Sequence, residues 1–285
     1  MSNLNFTAMK RTNLILAASI MMMAAISFTS CEKNDEVINP IVEQSVEDDD
    51  VDSYFDDVLA EVDDITLSEN SKDSQMAYAT LGENGERIRK TSWDDNNCRI
   101  DSVIYNEFVN PNAKYERVKN GVIIIRTCGN YLSDNFERTV TFDNFTINGN
   151  KIEGKKVIRK TAEHQYQITL TDGKVTFTDG TTYTRNAERT RTWVEGYDTP
   201  FFVWDDVYTL EGSATGVNRK GETYTHQITS ALMLKLNCRW IVQGVINITV
   251  GDKEATLDYG MGECDNMAYV TVNGKTYEIK LRGGK

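Results

Sequence analysis

The stretch Arg138-Thr-Val-Thr-Phe-Asp-Asn-Phe-Thr-Ile-Asn-Gly-Asn-Lys-Ile-Glu-Gly-Lys155 contains the pattern that decides the fold. β-Branched and aromatic residues alternate with polar ones, which is typical of a strand with one buried face. Asn148-Gly149 interrupts this alternation, and an Asn-Gly pair accepts the positive φ angles that a two-residue hairpin turn requires. The stretch therefore predicts a hairpin of two antiparallel strands.

The same chemistry continues along residues 86–285. Further short strand-like runs are Gly121-Val-Ile-Ile-Ile-Arg126, Tyr166-Gln-Ile-Thr-Leu170 and Val245-Ile-Asn-Ile-Thr-Val250. Turn signals separate them at Asp172-Gly173, Asp179-Gly180, Lys220-Gly221, Gly251-Asp252 and Asn273-Gly274. No helix-length periodic segment interrupts the series, which argues against βαβ units and nucleotide-binding folds. We expect an all-β body of about a dozen or more antiparallel strands in hairpins and meanders, forming a sandwich or an extended open sheet, as one domain or two packed subdomains.

The charge of the chain is concentrated in one segment. The formal net charge is −12 over 285 residues. Residues 32–74 hold 16 acidic and two basic residues, whereas residues 75–285 hold 27 of each. The chain is thus an acidic arm on a neutral body, and it lacks the basic footprint by which proteins bind nucleic acid.

The N-terminus carries an export signal. Lys10 and Arg11 precede an uncharged apolar run that extends from Leu14 to Phe28 and stops before Cys31. About 15 apolar residues are typical of a signal peptide and are too few to span a bilayer, which needs about 20. Phe28-Thr-Ser-Cys31 resembles a bacterial lipoprotein signal, which implies a signal peptide at 1–30, lipidation of Cys31 with fatty acids such as palmitate, and an acidic tether at 31–48. A plain secretory signal with an incidental cysteine is the alternative.

The residues after Cys31 indicate a destination. Glu32-Lys-Asn-Asp-Glu36 is similar to the short charged signal that directs lipoproteins of the Bacteroidota to the outer face of the outer membrane. The resemblance implies a lipid-anchored protein of the outer membrane that faces the exterior, and the periplasmic face is the alternative.

An amphipathic helix is predicted at 49–66. Its apolar positions fall on one helical stripe and comprise Val51, Phe55, Val58, Leu59, Val62 and Ile65. The opposite face is acidic and comprises Asp52, Asp56, Asp57, Glu61, Asp63 and Asp64. The helix is an interaction element, a helix that packs on the body, or a charged spacer. The polar residues 67–85 are predicted to be a linker.

Four cysteines remain in the exported chain once Cys31 is lipidated. Cys98, Cys128, Cys238 and Cys264 allow three disulfide connectivities, of which we favour the sequence-local pairs Cys98 with Cys128 and Cys238 with Cys264. A zinc site is disfavoured, because the chain has no Cys-x-x-Cys motif and only two histidines. We expect neither a metal nor a cofactor.

Signals for catalysis are weak. His164 and His226 both lie in alternating runs that predict strands, and no nucleophile elbow or metalloprotease motif accompanies them. The doublets Asp94-Asp95 and Asp205-Asp206 have the residue type of a glycosidase, but adjacent residues on a strand face opposite sides. We therefore expect no enzymatic activity.

The densest aromatic stretch provides the candidate ligand site. Residues 193–204 hold four candidate residues, Trp193, Tyr197, Phe201 and Trp204, and Gly196 and Pro200 predict a loop there. Aromatic faces beside Asp198 and Asp205 suit sugar rings, whereas packing at strand ends is the alternative. Exposure of Trp193 and Trp204 would favour a glycan site, and burial of both would count against it.

The C-terminal region shows a second resemblance. Leu257-Asp-Tyr-Gly-Met-Gly-Glu-Cys-Asp-Asn266 and Ala268-Tyr-Val-Thr-Val-Asn-Gly-Lys-Thr-Tyr277 resemble the ending of uncharacterised β-rich lipoproteins of the Bacteroidota. This resemblance implies no activity. The sequence favours a cell-surface, non-catalytic binding module for a glycan or an envelope or host protein, with a structural subunit of an outer-membrane assembly as the alternative and a hydrolase as the least favoured function.

Overall fold

The computed structural model describes residues 41–42, 44–47, 51, 53–55, 58, 85–110, 117–199 and 202–281. Thirteen antiparallel strands pair in chain order to form one open sheet. They are β1 (Glu86–Trp93), β2 (Arg99–Val109), β3 (Val118–Cys128), β4 (Glu137–Ile147), β5 (Asn150–Ala162), β6 (Gln165–Thr176), β7 (Thr182–Glu195), β8 (Val207–Val217), β9 (Thr223–Lys235), β10 (Ile241–Val250), β11 (Lys253–Met261), β12 (Met267–Val272) and β13 (Lys275–Lys280). The all-β prediction is confirmed, and the architecture is the open sheet rather than the sandwich.

Five of the six predicted turn pairs lie in connections between consecutive strands. Asn148-Gly149 joins β4 to β5 and Asn273-Gly274 joins β12 to β13, and all four residues have positive φ angles. Asp172-Gly173 is the exception, because it lies within β6 at a bulge in the pairing with β7. Asp172 has a φ of 52°, so the left-handed conformation that the sequence indicated is present. It forms a bulge within a strand and does not reverse the chain.

One face of the sheet is buried from β2 to β13. In β7, for example, Tyr183, Arg185 and Ala187 are buried while the alternating residues between them are more exposed. A single core contains buried residues from β2 to β13. We call this buried side the inner face.

Neighbouring strands run in opposite directions, so their connections fall at two ends of the sheet. The connections β1–β2, β3–β4, β5–β6, β7–β8, β9–β10 and β11–β12 lie at one end, which we call the disulfide end. The remaining connections lie at the opposite end, which we call the arm end.

Two disulfides fasten the disulfide end. Cys98 in the β1–β2 turn is bonded to Cys128 at the end of β3, with a Cα–Cα distance of 4.5 Å. Cys238 in the β9–β10 turn is bonded to Cys264 in the β11–β12 turn, with a Cα–Cα distance of 5.7 Å. These are the two pairs that the sequence favoured.

The described residues between 41 and 58 are helical and pack on the inner face, and we call this segment the arm. Asn150 at the start of β5 donates to the Tyr54 hydroxyl at 2.9 Å. Asn218, just after β8, donates to the Gln44 side-chain oxygen at 2.8 Å. Both contacts lie at the arm end. Of the interpretations that the sequence left open for this helix, the described residues show packing on the body.

Several sequence predictions lie outside the described residues. These are the signal peptide, Cys31 with its lipid, the tether up to residue 40, most of the linker at 67–85, and Phe201. Within the part of the chain that the structure describes, no helix is long and apolar enough to cross a membrane.

Candidate functional site

The β7–β8 connection lies at the disulfide end, where the structure describes residues 196–199 and 202–206. The Phe202 amide donates to the Thr199 carbonyl at 2.8 Å, and a single 3₁₀ turn follows at Val203–Asp205. Thr199 also binds through its hydroxyl, which donates to Asp205 Oδ2 at 2.8 Å. These local hydrogen bonds give the loop a defined conformation, and we call it the aromatic loop.

A buried base supports the aromatic loop. Trp193 is only 5% exposed, and its ring stacks on Tyr208 with 5.7 Å between centroids. Gly196 has a φ of 86°, and a Cβ at this position would lie 2.4 Å from Asp206 Oδ1. Glycine is therefore required here both by the backbone conformation and by the close approach of the Asp206 carboxylate.

Asp206 is a buried carboxylate with an unusual proton affinity. The Tyr208 hydroxyl donates to Asp206 Oδ2 at 3.0 Å. The pKa of Asp206 is raised to about 6, chiefly by burial and also by the neighbouring Asp205 charge, while the Tyr208, Trp193 and Arg191 side chains oppose the rise. Because Asp206 is 3% exposed, it holds the base of the loop and does not line its surface.

Three aromatic side chains of the loop face solvent. Tyr197 is 47% exposed, Phe202 57% and Trp204 61%. The His164 ring, from the β5–β6 turn, stacks on Tyr197 with 4.3 Å between centroids. Asp198 and Asp205, which the sequence placed beside the aromatics, are also exposed. The surface thus combines aromatic faces with carboxylate acceptors.

The four aromatic residues singled out by the sequence do not act together. Trp193 lies in the interior beneath the loop, Tyr197 and Trp204 are exposed, and Phe201 is outside the described residues. The criterion of tryptophan exposure is therefore met by Trp204 and not by Trp193. Phe202 was missed as a candidate, although it belongs to the same aromatic run and its neighbour was chosen.

Sequence reasoning also missed the polar cluster beneath the aromatic loop. The Arg191 guanidinium donates to the Tyr131 hydroxyl at 2.8 Å and lies 4.9 Å from the centre of the Tyr208 ring. Tyr131 in turn stacks on Tyr166 with 4.6 Å between centroids. These residues come from β6, β7, β8 and the β3–β4 turn, so no local pattern in the sequence could reveal them.

More apolar side chains are exposed at the disulfide end. Of the eleven large apolar residues that are exposed among those described, eight lie at this end. Beside the three of the aromatic loop they are Trp93, Leu132, Val194, Leu236 and Met261. The disulfide end is therefore the more apolar of the two ends of the sheet.

The two histidines occupy separate environments. His164 lies in the β5–β6 turn with a φ of 55°, so its predicted place in a strand is wrong. His226 lies in β9 as predicted, where it is buried with its Nδ1 3.5 Å from Arg185. His164 thus lies at the disulfide end, whereas His226 lies within a strand.

The first predicted carboxylate doublet has a structural role. Asp94 Oδ1 accepts from the Cys98 amide at 2.9 Å, and Arg126 donates to Asp94 Oδ2 at 2.6 Å. The hydrogen bond from Cys98 is the main cause that lowers the pKa of Asp94. Asp94 therefore caps the β1–β2 turn next to the first disulfide. Among the described residues, no group of three or more His, Cys, Asp or Glu side chains is placed to hold a metal ion.

Comparisons with known proteins add no relatives: no family model, no curated protein and no solved structure matches the chain.

Proposed function

We propose that this protein is a lipid-anchored outer-membrane lipoprotein whose β body is a non-catalytic binding module for a glycan. The aromatic loop is the binding site, and Trp204 is its principal contact. The observation that carries the proposal is the exposure of Tyr197, Phe202 and Trp204 on one structured loop.

The chemistry of the loop suits a sugar. Aromatic rings offer flat apolar faces to the C–H faces of a pyranose, and the ring edges leave room for hydroxyl groups. The exposed carboxylates of Asp198 and Asp205 are acceptors for hydroxyl donors. An ordinary protein surface carries isolated apolar residues, whereas recognition sites combine aromatic faces with a few placed polar groups.

The placement of the loop leaves it accessible to a ligand. Asn150 and Asn218 contact described residues of the arm at the arm end of the sheet. The aromatic loop lies at the disulfide end. These two contacts therefore do not compete with a ligand that approaches the loop.

The positions and hydrogen bonds of Asp205 and Asp206 favour binding over hydrolysis. Glycoside hydrolysis requires two carboxyl groups that flank the substrate. Asp206 is buried beneath the loop with Tyr208, and Asp205 accepts a hydrogen bond from Thr199. Asp206 is thus committed to holding the loop, so it is not placed to flank a substrate together with Asp205.

The proposal is tested by affinity gel electrophoresis of the oxidised chain from residue 32 against host and dietary polysaccharides. We expect at least one polysaccharide to retard the protein, and we expect Trp204→Ala to abolish the retardation. Trp93→Ala is the matched control, because Trp93 is also 61% exposed but lies at the end of β1. Equal loss in both variants, or retardation by no polysaccharide, would contradict a glycan site on this loop.

The second candidate is a structural subunit of an outer-membrane assembly. The eight exposed apolar side chains at the disulfide end favour it, because such residues are enriched where proteins dock. Cross-linking on intact cells through a photoreactive residue at position 261 tests this candidate, since Met261 is 90% exposed. A single cross-linked envelope protein would support the assembly role, and its absence would leave the glycan site as the better explanation.

A further inference from the structure

The connections around the aromatic loop are acidic, in contrast to those at the other end of the sheet. At the disulfide end, the β5–β6, β7–β8, β9–β10 and β11–β12 connections hold six acidic residues and one basic residue. The acidic residues are Glu163, Asp198, Asp205, Asp206, Glu263 and Asp265, and the basic residue is Arg239. At the arm end, the β6–β7, β8–β9, β10–β11 and β12–β13 connections hold three acidic and two basic residues. The negative charge is therefore concentrated at the end that carries the aromatic loop.

These four connections are in contact with one another. The Leu236 amide in the β9–β10 connection donates to the Asp206 carbonyl in the β7–β8 connection at 3.0 Å. The second disulfide links the β9–β10 and β11–β12 connections. The stacking of His164 on Tyr197 brings the β5–β6 turn against the aromatic loop. The acidic residues of the four connections are thus held around one loop.

Exposed carboxylates flank the exposed rings of the aromatic loop. Asp198 follows Tyr197 in the chain, Asp205 follows Trp204, and all four residues are exposed. Glu163 lies beside the same rings, because its carboxylate is 3.6 Å from Nε2 of the histidine that stacks on Tyr197. The sequence of residues 196–206 contains no lysine or arginine. Aromatic faces and carboxylates both attract a cation, so two independent features of the loop favour the same ligand charge.

A buried carboxylate adds negative charge beneath the loop. Asp206 is 3% exposed, and no hydrogen bond of normal geometry reaches its Oδ1 among the described residues. This oxygen faces Gly196 at the start of the loop, since a Cβ on Gly196 would lie only 2.4 Å from it. Arg191 offsets part of the Asp206 charge from below. A charge in the protein interior is screened less than one in water, so ionised Asp206 favours a cation at the surface of the loop.

We propose that the aromatic loop binds glycans whose sugars carry free, protonated amino groups. The rings contact the C–H faces of the sugars, and the ammonium groups lie between the rings and the carboxylates of Glu163, Asp198 and Asp205. A neutral glycan forms the ring contacts without the charged ones, and an acidic glycan is repelled by the surrounding carboxylates. This inference rests on the proposed function, because it assigns a ligand class to the same site.

The test compares ligands that differ in a single substituent. Linear oligomers of glucosamine, N-acetylglucosamine and glucose, with the same linkage and length, carry an ammonium, an acetamide and a hydroxyl group on the same carbon. Their affinities for the oxidised chain from residue 32 are measured by fluorescence titration at about pH 6, where exposed carboxylates are ionised and the sugar amine is largely protonated. We expect the glucosamine oligomer to bind at least about 10-fold more tightly than either neutral oligomer, and we expect this preference to decrease as the ionic strength rises.

Two triple variants separate the charge of the site from the charge of the whole chain. The first, Glu163→Gln, Asp198→Asn and Asp205→Asn, keeps the shapes of the side chains and should reduce the preference for glucosamine to less than about 3-fold. The matched control, Glu188→Gln, Asp252→Asn and Glu254→Gln, makes the same change in net charge at exposed positions outside the four connections. It should leave the preference within about 2-fold of wild type. Equal preferences in the two triple variants would overturn the proposal, because the net charge of the chain would then explain the binding.

The outcomes distinguish this inference from the proposed function. Equal affinities for the oligomers, all lost in Trp204→Ala, would overturn the selection of amino sugars and leave a glycan site on the loop. Binding of the glucosamine oligomer that Trp204→Ala does not weaken would overturn both, whereas failure of this oligomer to bind would overturn the selection alone. An oligolysine of the same charge that binds more tightly and also requires Trp204 would show that the loop recognises a basic protein, and would overturn the glycan as its ligand.

Discussion

Substitution of Asp101 should destabilise the protein more than any other loss of a single carboxylate among the described residues. The Asp101 side chain is 0% exposed and lies between two arginines on β1 and β2. Arg89 Nε donates to Oδ1 at 2.9 Å, and Arg99 Nε donates to Oδ2 at 2.8 Å. The Thr91 hydroxyl also donates to Oδ1, at 2.7 Å. Three donors from two strands therefore share one buried acceptor.

The magnitude follows from what the donors lose. Removal of one partner of a buried ion pair costs about 3–5 kcal/mol, because the remaining charge is left in the interior. The side chains of Arg89 and Arg99 are 22% and 16% exposed, so both can recover part of their hydration. We therefore expect Asp101→Ala to lower the free energy of unfolding by about 3 kcal/mol. Asp101→Asn keeps the shape and loses the charge, and should cost about 2 kcal/mol.

The assay is urea unfolding of the oxidised protein at pH 7, followed by tryptophan fluorescence. Glu137→Ala is the matched control, because Glu137 also binds an arginine on the neighbouring strand. In this pair the arginine side chain is 62% exposed and the Glu137 side chain 32%. The control should cost less than about 1 kcal/mol. Equal losses for Asp101→Ala and Glu137→Ala would refute the reasoning.

The pH dependence gives a second check on Asp101. Burial raises its pKa, but hydrogen bonds from Arg89 and Thr91 and the charges of the two arginines outweigh burial and lower the pKa from 3.8. A carboxyl whose pKa is lower in the folded state stabilises the protein above its unfolded pKa, and this stabilisation is lost as the pH falls through the folded value. The difference in the free energy of unfolding between wild type and Asp101→Ala should therefore decrease below pH 3.8.

Three further predictions concern the disulfide end. Replacement of Cys238 and Cys264 by serine should lower the free energy of unfolding by about 3.5 kcal/mol, because the sequence separation of 26 sets the entropy of the closed loop; thermal unfolding measures this. The pKa of Asp206 is raised from 3.8 to about 6 in the folded protein, so its contribution to stability decreases as the pH rises through this window. In Asp206→Asn, the decrease in the free energy of unfolding between pH 4 and pH 7 should therefore be smaller than in wild type by about 1–3 kcal/mol. Gly196→Ala should destabilise the protein more than Gly180→Ala in urea unfolding, because both glycines have φ near 85° but only a Cβ at position 196 meets Asp206.

The strand pattern was predictable because its determinants are local. The alternation in Arg138–Phe142 and the turn residues Asn148-Gly149 identified β4, β5 and their connection from a few neighbouring residues. The sequence-local disulfides were favoured for the same reason, since their partners lie on strands that follow closely in the chain. Asp172-Gly173 has the same composition as a turn, and only the pairing across β5, β6 and β7 decides that it is a bulge.

The site was only partly predictable because exposure depends on packing across strands. Trp193 and Trp204 lie in one aromatic run, yet Tyr208 and Asp206 cover the first and leave the second in solvent. The burial of the basic residues on the inner face was also not predictable from the sequence. Arg185 and Lys156 are charged residues in strands, where charge is normally expected on the solvated face. Lys156 contacts the carbonyl of Phe55 in the arm, and Arg185 contacts Tyr224 and His226 on β9, so both depend on partners that are distant in the chain.

The affinity of the protein for its best polysaccharide, measured for wild type, Trp204→Ala and Trp93→Ala by fluorescence titration under identical conditions, tests the central claim most directly. The aromatic loop account predicts that Trp204→Ala weakens binding at least about 10-fold, or about 1.4 kcal/mol, as expected for a tryptophan at the centre of an interface. Trp93→Ala should leave the affinity within about 2-fold of wild type, because its ring lies at the end of β1 and outside the loop. Wild-type affinity in Trp204→Ala would contradict the account and would move the binding surface away from the aromatic loop.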